Sequence, residues 1–158
     1  MKWKPLLGLF LGCLLMQSCQ KHWAESGQNF DAGCWEATDT LLLSFDNTDT
    51  NQVYRLHFPL EVTEDYPFNN IYLRAILTSP SGEASVIPSE FKLSSNAGEW
   101  YSEPKGDIIP FNLSIADGLR FNQVGAYTVK LFHFMRDDQV CGINRAGIAL
   151  DQATANAE

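Results

Sequence analysis

Apolar residues recur at every second position through three stretches of this chain, and no stretch holds a helical stripe over three turns. In NQVYRLHFPLEV, Tyr54, Leu56, Phe58, Leu60 and Val62 share one face, with Val53, Arg55, His57, Pro59 and Glu61 on the other. IYLRAILTS sets Ile71, Leu73, Ala75 and Leu77 against Tyr72, Arg74 and Ile76, and AYTVKLFHFMR sets Tyr127, Val129, Leu131 and Met135 against Thr128, Lys130, Phe132 and Phe134. Successive side chains of a strand point to opposite faces, so a period of two reads as a half-buried strand. Pro59 places its strand at an edge or a bulge. Shorter candidates are 40–45, 84–87, 91–93, 108–115 and 142–150. Between them lie turn signals, among them Pro80-Ser81-Gly82, Asn96-Ala97-Gly98 and Lys105-Gly106-Asp107. Short strands with no helices between them predict an all-β fold, an antiparallel β-sandwich of about 7–9 strands with jelly-roll or immunoglobulin-like connections.

The N-terminus is of another kind. Lys2 and Lys4 precede an apolar run from Pro5 to Met16, too short for a bilayer core, which takes ~20 residues. That is a signal peptide. Met16-Gln17-Ser18-Cys19 fits lipoprotein processing, with a small residue before the cysteine; Cys13 would leave too short an apolar region. Residues 1–18 are therefore expected to be removed and Cys19 to carry the lipid, against the plainer reading of an ordinary signal peptide with Cys19 a free thiol. Several acyl chains make a stable anchor where one does not. The absence of an acidic cluster after Cys19 favours the periplasmic side. The expected organisation is a lipidated tether over 19–37, a sandwich over 38–150 and a polar tail over 151–158.

Cleavage after Ser18 removes two of the 11 basic residues and none of the 19 acidic ones, leaving nine against nineteen, a formal charge of −10. Such a chain is a poor partner for nucleic acid or for anionic membrane surfaces, both of which call for basic patches. Cys34 and Cys141 remain. In an oxidising envelope they either pair across the domain or stay as two separate buried thiols. Neither has a second Cys or a His at ligand spacing, so no metal is expected.

Catalytic signatures are missing. No Ser sits in a nucleophile elbow, and His22, His57 and His133 fall in the tether, on a polar strand face and on an inward face respectively. NTDTN at 47–51 lacks the Gly and distal Glu of a calcium loop and reads as a hairpin turn. No cofactor is implied. Trp23, Trp35, Trp100 and Tyr101 could stack on sugars, although Trp in a sandwich more often packs.

Several stretches together resemble the gliding-motility lipoprotein family GldH: Trp35 followed by Asp39-Thr40 and an apolar strand; YRLHFPLEVTEDYPFNNIYL with Tyr66, Pro67 and Phe68; Gly98 with Trp100; and the run Gly125, Tyr127, Met135-Arg136, Gly142-Ile143 and Gly147. Ser102 replaces a Gly usual after the Trp, and Cys141 is unusual before Gly-Ile. The resemblance implies a non-catalytic, lipid-anchored component of an envelope assembly for gliding or associated secretion, acting by protein–protein contact. The contact residues expected are Tyr66, Pro67, Phe68 and Asn70 in one loop and Trp100 and Tyr101 in another. The partners expected are membrane lipid through Cys19 and envelope proteins. The alternative is a carbohydrate- or peptidoglycan-binding sandwich using Trp100 and Tyr101.

Overall fold

The computed structural model describes residues 23–30 and 32–153. Cys19, His22 and the signal segment lie outside the described residues. Ten strands follow one another: β1 (Ala24–Asn29), β2 (Cys34–Glu36), β3 (Leu41–Asn47), β4 (Val53–Val62), β5 (Asn70–Thr78), β6 (Ala84–Lys92), β7 (Ile109–Arg120), β8 (Gly125–His133), β9 (Gln139–Cys141) and β10 (Ile143–Ala153). There is no helix among the described residues.

Every strand pairs antiparallel, first with last, second with ninth, third with eighth, fourth with seventh, fifth with sixth. The chain is thus one long hairpin whose paired arms are rolled up. Cross-pairing of β10 with β4 and of β5 with β8 closes the roll into two four-stranded sheets, β1-β10-β4-β7 and β3-β8-β5-β6. This is the jelly-roll connection, not the immunoglobulin one. The third, two-stranded sheet is the β2–β9 ribbon.

The alternating faces read from sequence meet in the middle. Tyr54, Leu56, Phe58, Leu60 and Val62 of β4 are buried against Leu41, Leu43 and Phe45 of β3, Ile71, Leu73 and Ala75 of β5 and Tyr127, Val129 and Leu131 of β8. At about 25 cal/mol per Å² of apolar surface removed from water, this interior dominates stability. Trp35, fully buried, stands in it, with rings of Phe30 at 5.6 Å and His133 at 5.3 Å. Its indole Nε1 donates to the Asp39 carbonyl at 2.9 Å. That bond gives a physical reason for the Trp35…Asp39 spacing: the indole needs a partner, and the turn after β2 supplies one.

Three expectations are corrected. The sandwich begins at Ala24, not 38: β1 lies inside the stretch expected as tether and pairs with β10 from Ala24↔Leu150 to Asn29↔Arg145. The supposed tail contributes Asp151, Gln152 and Ala153 to β10. Pro59 marks neither an edge nor a bulge, since β4 lies between β10 and β7 and neither ladder shifts register at Pro59. Proline offers no N–H there, and the β10–β4 ladder passes from Ala146↔Leu60 to Ala149↔His57 with no pair between. Gly147 fills that gap: a Cβ on it would stand 3.9 Å from the Pro59 ring and 2.9 Å from the Ser26 carbonyl oxygen. Conversely Pro88, which divides two short candidates in sequence, lies within one continuous β6, an edge strand that tolerates it.

Cys34 and Cys141 face each other in the β2–β9 ribbon and are joined as a disulfide. The bridge ties two points 107 residues apart.

Candidate functional site

The turn after β4 brings the chain to Tyr66. Its backbone N–H donates to Thr63 O at 3.1 Å, and Thr63 N donates to Gly142 O at 2.9 Å. Gly142, at φ 79°, is pressed against this turn: a Cβ there would stand 2.4 Å from Tyr66 N. Only glycine satisfies both the left-handed backbone and the contact. Tyr66 is buried, its hydroxyl donates to Asn70 O at 2.9 Å, and burial pushes the phenol well above its ordinary value. Its ring meets Phe68 edge-on at 5.8 Å.

The second loop is fastened to the first through the backbone. Leu93 N and Ser94 N both donate to Asn69 O, at 2.8 and 3.2 Å, and Ser94 bridges to Trp100. Between them the chain reverses in a tight turn. Ser95 Oγ accepts from Ala97 N and Glu99 N, and Gly98 takes φ 85° to donate to Ser95 O at 3.0 Å. Trp100, half-buried, leans on Phe111 at 6.4 Å.

The result is a cleft of about 530 Å³ with Tyr66, Pro67, Phe68 and Trp100 as apolar walls and Glu64, Asn69, Ser94, Ser95 and Asn96 as polar ones. Asn69 Nδ2 donates to Asn96 Oδ1 at 3.3 Å across it. Four of the six residues expected to make contacts therefore line one site. Asn70 does not; its side chain turns to Glu90, donating at 2.8 Å. Tyr101 does not either, standing largely exposed outside the cleft while its N–H donates to Leu93 O. Ser94 and Ser95 lie outside the expected loops, and within the first loop Asn69, not Asn70, lines the cleft, because a turn sequence tells where the chain bends and not which groups it aims inward. Of the indoles considered for sugar stacking, Trp35 is core and Trp23 packs on Phe45 at 5.6 Å and Tyr54 at 5.3 Å.

A histidine–carboxylate pair exists elsewhere. His57 Nε2 lies 3.5 Å from Asp151, and Ser114 stands opposite His57 on β7. The three do not form a relay: the Ser114 hydroxyl bonds Asp117 at 2.9 Å, and His57 Nδ1 is buried with no hydrogen-bond partner. A relay needs the base within reach of the nucleophile. Among the described residues no group of His, Cys, Asp and Glu is placed to hold a metal ion.

Fold and cleft together define a jelly-roll domain stapled by one disulfide, with a loop-built aromatic and amide cleft at one end. The model of the GldH lipoprotein family matches residues 22–150, and the chain belongs to that family. It is 26% identical over 102 residues to a gliding motility lipoprotein GldH homolog of Christiangramia forsetii, covering 65% of this chain and 63% of that protein. It is 23% identical over 151 residues to the gliding motility lipoprotein GldH of Flavobacterium johnsoniae, covering 91% and 94%. Among solved structures, a family GH115 4-O-methyl-α-glucuronidase aligns with TM-score 0.45 and 13% identity over 88% of this chain and 19% of that one. A likeness that slight bears on neither mechanism nor substrate.

Proposed function

We propose that this protein is a non-catalytic lipoprotein of the cell envelope, anchored through acylated Cys19, facing the periplasm, and supporting a gliding or associated secretion assembly by protein–protein contact through the Tyr66–Trp100 cleft. The observation that carries the reading is the convergence of the two loops on one cleft in a chain of the GldH family, both of whose compared relatives bear gliding-motility names. Half-buried Phe68 and Trp100 beside the Asn69 and Asn96 amides suit an extended protein segment, whose backbone the amides can meet while its side chains cover the rings.

The test is capture of partners by crosslinking in intact cells, comparing tagged wild type with the double variant Phe68→Ala/Trp100→Ala, with mass spectrometry of the mature N-terminus. Envelope proteins captured by wild type and lost in the variant are expected, with acyl groups on Cys19. Unchanged capture would end the cleft assignment, and an unmodified N-terminus would end the lipid anchor.

A second reading, glycan binding, draws on Trp100 standing beside Asn69 and Asn96. Tyr101 does not join Trp100 in a common platform, which weakens it. Titration with peptidoglycan fragments separates the two: a stacked sugar shifts the indole emission of wild type and not of Trp100→Phe.

A further inference from the structure

The outward face of the β3-β8-β5-β6 sheet departs from the rest of the surface. Among the described residues seven large hydrophobic side chains are exposed, and four of them, Leu42, Tyr72, Val86 and Phe134, stand on this one face. Half-buried Phe132 and Ile76 fill the space between them. The registers Arg74↔Phe132 and Ile76↔Lys130 place cations inside this apolar field, and Tyr72↔Glu90 places an acid at its margin. The Arg74 guanidinium lies 3.4 Å from the centre of the Phe134 ring. Alternation along the four strands assigns the face three cations, Arg74, Lys130 and Lys92, against two acids, Asp46 and Glu90, in a chain that is otherwise strongly acidic. Glu90 is itself engaged: Asn70 and Tyr72 both donate to it, holding its carboxyl below the usual range.

We infer that this face lies against the lipid surface to which the chain is anchored, with Tyr72, Phe134, Leu42 and Val86 entering the headgroup region and Arg74 and Lys130 meeting lipid phosphates. The inference rests on the reading of Cys19 as the acylated residue. Four residue steps separate Cys19 from Trp23, and at ~3.3–3.6 Å per residue they reach at most ~14 Å. The domain must therefore sit against the bilayer on some side. Trp23 packs on Phe45 of β3 and on Tyr54 of β4, at the seam between the two sheets, and the edge strand at that seam, β3, carries Leu42 on its outer side, so the anchor enters beside this face. Aromatic side chains with Arg and Lys at their flanks are what an interfacial surface requires, and basic groups near anionic headgroups add to the attraction. The net charge of the whole chain conceals this local reversal.

The test uses the mature acylated protein in vesicles of phosphatidylethanolamine and phosphatidylglycerol. With Cys19 acylated and Cys34 bridged to Cys141, a cysteine introduced at Val86→Cys or at Asn112→Cys on the opposite outer face is the reactive thiol to label. A fluorophore at position 86 should lose most of its emission to a quencher carried on lipid headgroups, and one at 112 should lose little. The pair Tyr72→Ser/Phe134→Ser, checked for unchanged circular dichroism, should restore emission at 86. Equal, weak quenching at both positions on a chain shown by mass to be acylated would overturn the face and leave the anchor standing. Protection of position 86 by an envelope protein but not by vesicles would overturn it in favour of a protein interface. An unacylated chain that does not bind vesicles would remove both.

Discussion

The outer faces of the two sheets are built on opposite plans. On the β1-β10-β4-β7 sheet the middle of the outer face holds Gly27 opposite Gly147, with Pro59 and Ala149 beside them; a Cβ on Gly147 would stand 2.9 Å from the Ser26 carbonyl oxygen, and one on Gly27 would meet the Arg145 side chain. On the β3-β8-β5-β6 sheet the outward positions carry Tyr72, Phe134, Leu42 and Val86, all exposed among the described residues. The first face spends its sequence on closing the roll; β1 can cover β10 only because glycine lets it. The second is spaced normally, and its side chains are free to meet something else.

Substitutions on each sheet test that contrast. The largest effect falls on what both faces share. Replacing Cys34 and Cys141 with serine releases a loop spanning 107 residues and should cost about 2–5 kcal/mol, read as a lower urea midpoint. Next comes Gly147→Ala. Its Cβ would lie 2.9 Å from the Ser26 carbonyl, a backbone atom, so β1 must shift, at a cost of about 1–3 kcal/mol in the same assay. Gly27→Ala should cost less than about 1 kcal/mol, because the group its Cβ meets at 2.9 Å is the movable end of the Arg145 side chain. On the other sheet Tyr72→Ser and Phe134→Ser should each leave stability within about 0.5 kcal/mol. A loss there as large as that of Gly147→Ala would erase the contrast.

The smallest effect is one of pH and concerns the inner side of the second sheet. Burial holds the His133 imidazole below its ordinary value of 6.5, against the opposite pull of the Trp35 backbone and nearby acids. The unfolded chain therefore takes up this proton first as pH falls. The stability His133 contributes is complete above pH 6.5 and declines as pH drops toward its folded value. His133→Phe should make the urea midpoints above and below that pH more nearly alike.

The sequence made the inner faces legible because burial on one side of a strand enforces a period of two, and β4, β5 and β8 carry it through most of their length. It concealed β1, whose AESGQN has no such period. That strand is held by backbone pairing and by glycine fitted to glycine, features that only its partner reveals. Asn47 was equally hidden. Fully buried at the end of β3, it donates to Phe121 O and Gln123 O and accepts from Tyr54, fixing a loop more than seventy residues away. The apolar walls of the cleft could be read in Tyr66, Pro67, Phe68 and Trp100. The rest could not, since Asn69 and Ser94 join it through hydrogen bonds between loops distant in sequence. The exposed aromatic face had a signal, apolar residues on both sides of β5 and β8, but the same pattern also marks a strand buried on both sides.

The most direct test of the central claim, contact through the cleft, is photo-crosslinking in living cells from a reactive amino acid at position 68, with position 112 on the far sheet as the control. An envelope protein captured from position 68 and not from 112 is the predicted result. Equal capture from both positions, or capture of cell-wall glycan alone from position 68, would contradict it.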